Sequence, residues 1–172
     1  MQPSPPPIEA FTRVAACAPR AALACEPFTR VRRSVDAVAG RRVVFGTFAD
    51  GTDGIAILDS RGTRLDGFAC FAPTLSPGGR RLAFQRYATP HERVALRYRG
   101  LVAVYDLAAS PRANRAGVPD GRFPGRVVNP RAMTGDASER WVGDIAWRGP
   151  ALLHFRVRYD ERTRDVSIAF GS

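Results

Sequence analysis

Lysine is absent from this chain: all 26 basic residues are arginine, set against 16 acidic ones for a formal charge of +10. The arginines run from Arg13 to Arg164 without forming a block. No concentrated basic tract of the kind that marks a nucleic-acid or membrane-surface segment is present, and a general enrichment in Arg and Ala accounts for the charge. Histidine is nearly absent too. His91 and His154 stand far apart, with neither a His-Glu-x-x-His motif nor a paired Cys-x-x-Cys, which removes the usual sequence grounds for zinc. A phosphate loop of the Gly-x-x-x-x-Gly-Lys-Ser/Thr type is excluded without Lys, and the Gly-x-Ser-x-Gly nucleophile elbow does not occur. We therefore expect no catalytic residue, no cofactor and no metal. Long apolar runs are also missing, so nothing reaches the roughly 20 residues a membrane-spanning helix needs. Val14-Ala15-Ala16-Cys17 copies a lipoprotein cleavage box, but Glu9 and Arg13 interrupt the apolar stretch that should precede it.

What the chain has is short apolar runs punctuated by 14 Pro and 16 Gly over 172 residues, which predicts a mainly β fold of one domain's length. Met1–Pro7 is Pro-rich and extended. Ile8, Phe11, Val14 and Ala15 have helical spacing, so a short helix is predicted over Ile8–Ala18, ended by Pro19. Phe28–Val31 reads as a short strand. These segments make an N-terminal arm over 1–32, followed by a β domain over 33–172.

The most informative stretch is Ala72–Tyr87. Ser76-Pro77-Gly78-Gly79 is a turn, with Pro pre-setting φ and the two glycines supplying positive φ, between two strands of a hairpin. A repeat surrounds it. Gly40-Arg41-Arg42-Val43-Val44-Phe45 and Gly79-Arg80-Arg81-Leu82-Ala83-Phe84 share one pattern about 39 residues apart, close to the roughly 40–45 residues of a propeller blade. Each copy is followed by an apolar run ending in Asp: Ile55–Asp59 and Val102–Asp106. The offset there grows to about 47, which places an insertion near Ala88–Gly100. A weaker third copy takes Ile145–Trp147 as a strand, Gly149-Pro150 as its turn, then strands at Leu152–Tyr159 and Val166–Phe170. Ragged outer strands are expected at Thr63–Phe68 and Arg131–Thr134. Ala108–Arg126, dense in Pro, Gly, Arg and Asn, is expected to be a loop.

Ser76-Pro77-Gly78-Gly79-Arg80-Arg81-Leu82-Ala83-Phe84 resembles the Ser-Pro-Asp-Gly-(Lys/Arg)-x-(Ile/Leu)-Ala-Phe signature of TolB-like (WD40-like) β-propeller repeats, with Gly78 where that family has Asp. The resemblance covers about Arg33–Ser172. It implies four-stranded antiparallel blades, an envelope setting, and use as a binding platform or as the gating domain of a serine peptidase. About three units are present, whereas closed propellers typically have 4–8 blades. Another chain completes the ring, or the sequence is a piece of a longer protein, or an open stack of sheets replaces the ring. Because the third unit ends without its last strand, Phe28–Val31 is expected to pair near Val166–Phe170. Apolar faces left uncovered by only three units predict a homo-oligomer.

Individual residues suggest little chemistry. His154 falls inside a predicted strand and reads as a packed, hydrogen-bonded residue; His91 lies in the insertion beside Glu92. Ser76 has a sufficient role in bonding local backbone. Asp50-Gly51-Thr52-Asp53-Gly54 has the outline of a calcium loop but lacks the ligands of an EF-hand and reads as a hairpin turn. Cys17 and Cys25 are spaced for a bridge in an oxidising compartment, with Cys70 left over; three cytosolic thiols are the alternative.

The resulting expectation is a non-catalytic binding or scaffold module for another macromolecule, periplasmic or secreted, with a cytoplasmic setting as the alternative. A propeller domain of a hydrolase is the second reading and Arg-mediated polyanion binding the third, nucleic acid being less favoured than a protein partner. The contact residues expected are Arg93, Arg97, Tyr98 and Arg99 in the insertion and Arg112, Arg115 and Arg122 in the later loop, whose side chains stack and form bidentate hydrogen bonds.

Overall fold

A computed structural model describes residues 28–87, 100–116, 124–128, 141–159 and 161–171. The expected helix at Ile8–Ala18, the Cys17–Cys25 pair, His91 and the outer strand at Arg131–Thr134 lie outside them. The described chain is mainly β, with three antiparallel sheets in sequence order and two compact units, residues 1–69 and 70–172. The boundary expected at 32/33 falls inside a strand.

In the first unit, β1 (Phe28–Asp36), β2 (Arg42–Phe48), β3 (Asp53–Leu58) and β4 (Arg64–Ala69) form a four-stranded meander. Strand alternation divides its apolar residues between two buried faces. One carries Phe28, Val44, Phe48, Ala56 and Leu58. The other carries Val43, Phe45, Ile55, Ile57 and Phe68. Gly46 and Gly54 face each other across β2 and β3 and leave room for the rings of Phe28 and Phe48, whose centroids are 4.8 Å apart. This packing corrects the expected pairing of Phe28–Val31 with Val166–Phe170: Phe28 opens β1 and pairs with Phe48 in its own sheet.

The turns follow local chemistry. Asp59 accepts hydrogen bonds from the N–H groups of Arg61 and Thr63, while Gly62 takes the positive φ that closes the turn. At Asp50 the carboxylate accepts from both the N–H and the hydroxyl of Thr52, with Gly51 at φ +83°. Those bonds hold the Asp50 carboxyl below its ordinary pKa, the Thr52 hydroxyl being the largest cause.

The second unit contains two sheets. β5 (Phe71–Leu75), β6 (Arg81–Tyr87), β7 (Gly100–Asp106) and β8 (Arg126–Val127) make a meander, and β9 (Trp141–Trp147), β10 (Leu152–Tyr159) and β11 (Arg162–Ala169) make another. The hairpin predicted over Ala72–Tyr87 is present. Gly79 alone has positive φ, so of the two glycines only the second is required by the turn. Ser76 is buried, its Oγ accepting the Arg81 N–H at 3.0 Å, the local backbone role expected of it.

Ala83, Leu101, Val102 and Val104 of one sheet pack with Val142, Leu153, Phe155 and Val157 of the other. Leu82, Phe84, Ala103 and Tyr105, on the opposite face of the β5–β8 sheet, are buried as well. The β9–β11 sheet differs. Its far face, expected to be apolar, carries His154, Arg156, Arg158, Thr163, Asp165 and Ser167, with Trp141 (43% exposed) and Leu152 (40%) toward its corners.

Candidate partner-binding site

Of the predicted contact residues, the structure describes Arg112 and Arg115. Arg93, Arg97, Tyr98, Arg99 and Arg122 lie outside the described residues. The insertion holding the first four joins the chain at Gly100, where β7 begins, whereas Arg112 and Arg115 follow Asp106, where β7 ends. A strand of this length rises about 20 Å, so the two connections leave opposite ends of the sheet.

At the Asp106 end the structure replaces part of the expected loop by a short helix, α1 (Pro111–Arg115). Ser110 and Pro111 explain it: the Ser110 Oγ accepts the Ala113 N–H at 3.1 Å, and proline is pre-set for the first helical position. Asn114 then fixes the helix to the sheet. Its side chain accepts from the Asp106 N–H at 2.8 Å and donates to the Asp106 carbonyl at 2.9 Å and the Ser110 carbonyl at 3.1 Å. The Asn114 carbonyl in turn takes the Gly125 N–H at 2.7 Å, which leads the chain into β8. With Asn114 buried, Arg112 projects into solvent and Arg115 is half-buried.

Two arginines that sequence reasoning did not select share this end. Arg80 sits in the turn before β6, its guanidinium 3.7 Å from the Asp106 carboxylate and its carbonyl accepting the Leu107 N–H at 2.8 Å. Arg148 is exposed in the turn between β9 and β10. That turn lies beside the first: a Cβ built on Gly78 falls 4.0 Å from Pro150. Beneath them Arg81 is buried, its guanidinium 5.3 Å from the centre of the Phe170 ring and bonded to the Gly171 carbonyl. Arg80 lies inside the recognised turn signature, but nothing in the sequence brings Arg148 to it.

This end therefore presents three exposed guanidiniums, on a β-turn, a capped helix and a second β-turn. Each is a planar fork of donors matched to carboxylate or phosphate oxygens. The Asp106 carboxylate is already committed to Arg80 and the Ala108 N–H.

Other candidates resolve into local structure. Asp53 receives Arg32 at 2.7 Å and the Thr47 hydroxyl at 3.3 Å, so the Asp50–Gly54 segment is a hairpin turn. Among the described residues no group of three or more His, Cys, Asp or Glu side chains is placed to hold a metal ion. No helix among them is long and apolar enough to cross a membrane. Cys70 is buried just after β4.

His154 lies in β10, 18% exposed, with Nδ1 3.3 Å from the Ser167 hydroxyl and Nε2 3.6 Å from Asp165. Asp165 also accepts from Arg156 at 3.1 Å, and Arg156 reaches Asp144 at 3.0 Å. The Asp165 hydrogen bond, then the charges of Asp165 and Asp144, raise the Arg156 pKa. The result is a continuous polar network across the sheet face.

Comparisons with protein-family models, with curated proteins and with solved structures found no match.

Proposed function

We propose that this chain is a non-catalytic binding module built from propeller-blade-like sheets, and that its arginine-bearing end docks on an acidic patch of another protein. One observation carries the reading: Arg80, Arg112 and Arg148 converge on one end of the second unit from three separately pinned elements. Holding the backbone of each element in advance reduces the ordering cost of binding, and arginine is the basic residue most often found at energetic hot spots. The resemblance to TolB-like repeats supplies the blade reading and the periplasmic or secreted location. Polyanion binding is the second reading, favoured by the same three guanidiniums.

The test is chemical crosslinking of the tagged chain in its source cells, comparing wild type with Arg112→Glu/Arg148→Glu. The expected result is a protein crosslinked in the envelope fraction and lost in the variant, whose circular dichroism is unchanged. Crosslinking that survives charge reversal overturns the docking surface. Recovery of nucleic acid, with affinity falling steeply as salt rises, selects the polyanion reading.

A further inference from the structure

We propose that β11 is a self-pairing edge through which two copies of this chain join their β9–β11 sheets into one continuous antiparallel sheet. The site is independent of Arg80, Arg112 and Arg148. β11 pairs with β10 over Arg162–Ala169 without a single register shift, and among the described residues it is the last strand of its sheet. The other terminal strands of comparable length, β1 and β9, carry two register shifts opposite β2 and one opposite β10, the kind of irregularity that blunts an edge against further pairing.

The phase of the ladder shows which groups face outward. Phe170 donates its N–H to the Ala151 carbonyl at 2.8 Å. Inward and outward groups alternate along an antiparallel strand, so the even-numbered residues of β11 point their backbone at β10. Thr163, Asp165, Ser167 and Ala169 point theirs at the open edge. Each offers one N–H and one carbonyl there, with no backbone partner among the described residues beyond β10.

A two-fold axis perpendicular to the sheet permits only pairings of residues on the same face. With the axis at Val166, Thr163 faces Ala169 of the second copy and Asp165 faces its Ser167, so all four outward residues exchange both bonds. Val166 then meets its own equivalent, and Arg164 lies beside Ile168. Like charges are nowhere directly opposite. Moving the axis to Asp165 opposes two carboxylates, and moving it to Ser167 carries Thr163 past the end of the strand; each loses one of the bonded pairs. The strand is self-complementary in one register, as an isologous interface requires.

Light scattering of the full chain between about 1 and 100 μM, the range of ordinary reversible association, tests this. The mass should rise to twice that of the chain. Ser167→Pro removes an N–H that points at the open edge and no backbone bond of its own sheet, giving up only the hydroxyl contact with His154, and it should give a monomer. Two charge variants on the solvent face guard against misfolding of the proline variant. Thr163→Lys/Ala169→Asp sets opposite charges across both ends of the seam and should tighten the dimer roughly tenfold; Thr163→Asp/Ala169→Asp should loosen it by a similar factor. A wild-type monomer throughout the range overturns the proposal. So does a dimer whose dissociation constant neither charge variant moves, which would place association on another surface.

Discussion

The indole Nε1 of Trp147 donates to the Thr74 carbonyl at 3.0 Å, a bond from the first strand of the β9–β11 sheet to the first strand of the β5–β8 sheet. The same ring lies 5.8 Å from Phe170, which follows β11 on its own sheet, and both rings pack against the apolar cluster that the two sheets share. Trp147→Phe keeps the ring packing and loses the bond, and should lower stability by about 1 kcal/mol in urea unfolding. Trp147→Ala should cost about 3 kcal/mol, since it also removes the ring. Equal losses in the two variants would show that the ring packing contributes nothing beyond the hydrogen bond.

Asn114 is the only side chain described that satisfies both backbone groups of Asp106. Asn114→Ala should destabilise by about 2 kcal/mol by stranding the Asp106 N–H, while the Asp106 carbonyl keeps the Ala109 N–H at 3.2 Å. Asn114→Asp retains the acceptor and loses the donor, so it should fail to rescue. Hydrogen exchange at Ala113 and Gly125 should quicken in both variants; unchanged exchange would mean that α1 is held by other contacts.

Gly54 has no space for a side chain, because a Cβ there would lie 2.3 Å from the Phe48 ring and 2.8 Å from the Phe68 carbonyl. Gly54→Ala should cost about 2 kcal/mol through overpacking. Gly143 meets nothing within 4 Å and has no positive φ, so Gly143→Ala should be neutral or stabilising by about 0.5 kcal/mol. Similar melting temperatures for the two variants would reject the packing described for Phe48.

Asp50 gives a pH signature. Because folding lowers its pKa, the carboxylate adds stability above the pKa it has when unfolded, and that contribution disappears as pH falls through the folded value. Asp50→Asn should therefore be less stable than wild type at pH 7, with the difference closing in acid below the ordinary carboxylate range. A gap that persists at pH 2 would assign the effect to turn geometry instead of charge.

Much of the strand pattern is legible in the sequence because it is local. Ser76-Pro77-Gly78-Gly79 dictates its hairpin, and the Gly-Arg-Arg-apolar-apolar-Phe repeat correctly aligns β2 with β6. Phe28–Val31 was misplaced because strand pairing depends on which core receives Phe28, and Gly46, the residue that makes room for it, carries no pattern of its own. The helix at Pro111–Arg115 was hidden by composition: Ser110-Pro111 is a helix start, but the surrounding Gly, Pro and Arg suppress any apolar periodicity. The candidate site was legible only in part. Arg112 and Arg115 were selected by residue type, while Arg148 reaches the same end through the packing of two sheets, a relation that no spacing along the chain encodes.

The face of the β9–β11 sheet that holds Asp144, Arg156, Asp165 and His154 sets a rule for stacking. Any further sheet laid against it would strip water from this ionic network, and removing ions from water costs several kcal/mol apiece unless each is matched anew. The sheet thus behaves as a lid on the apolar layer beneath it, closed to neighbours above and open to growth only sideways, in its own plane.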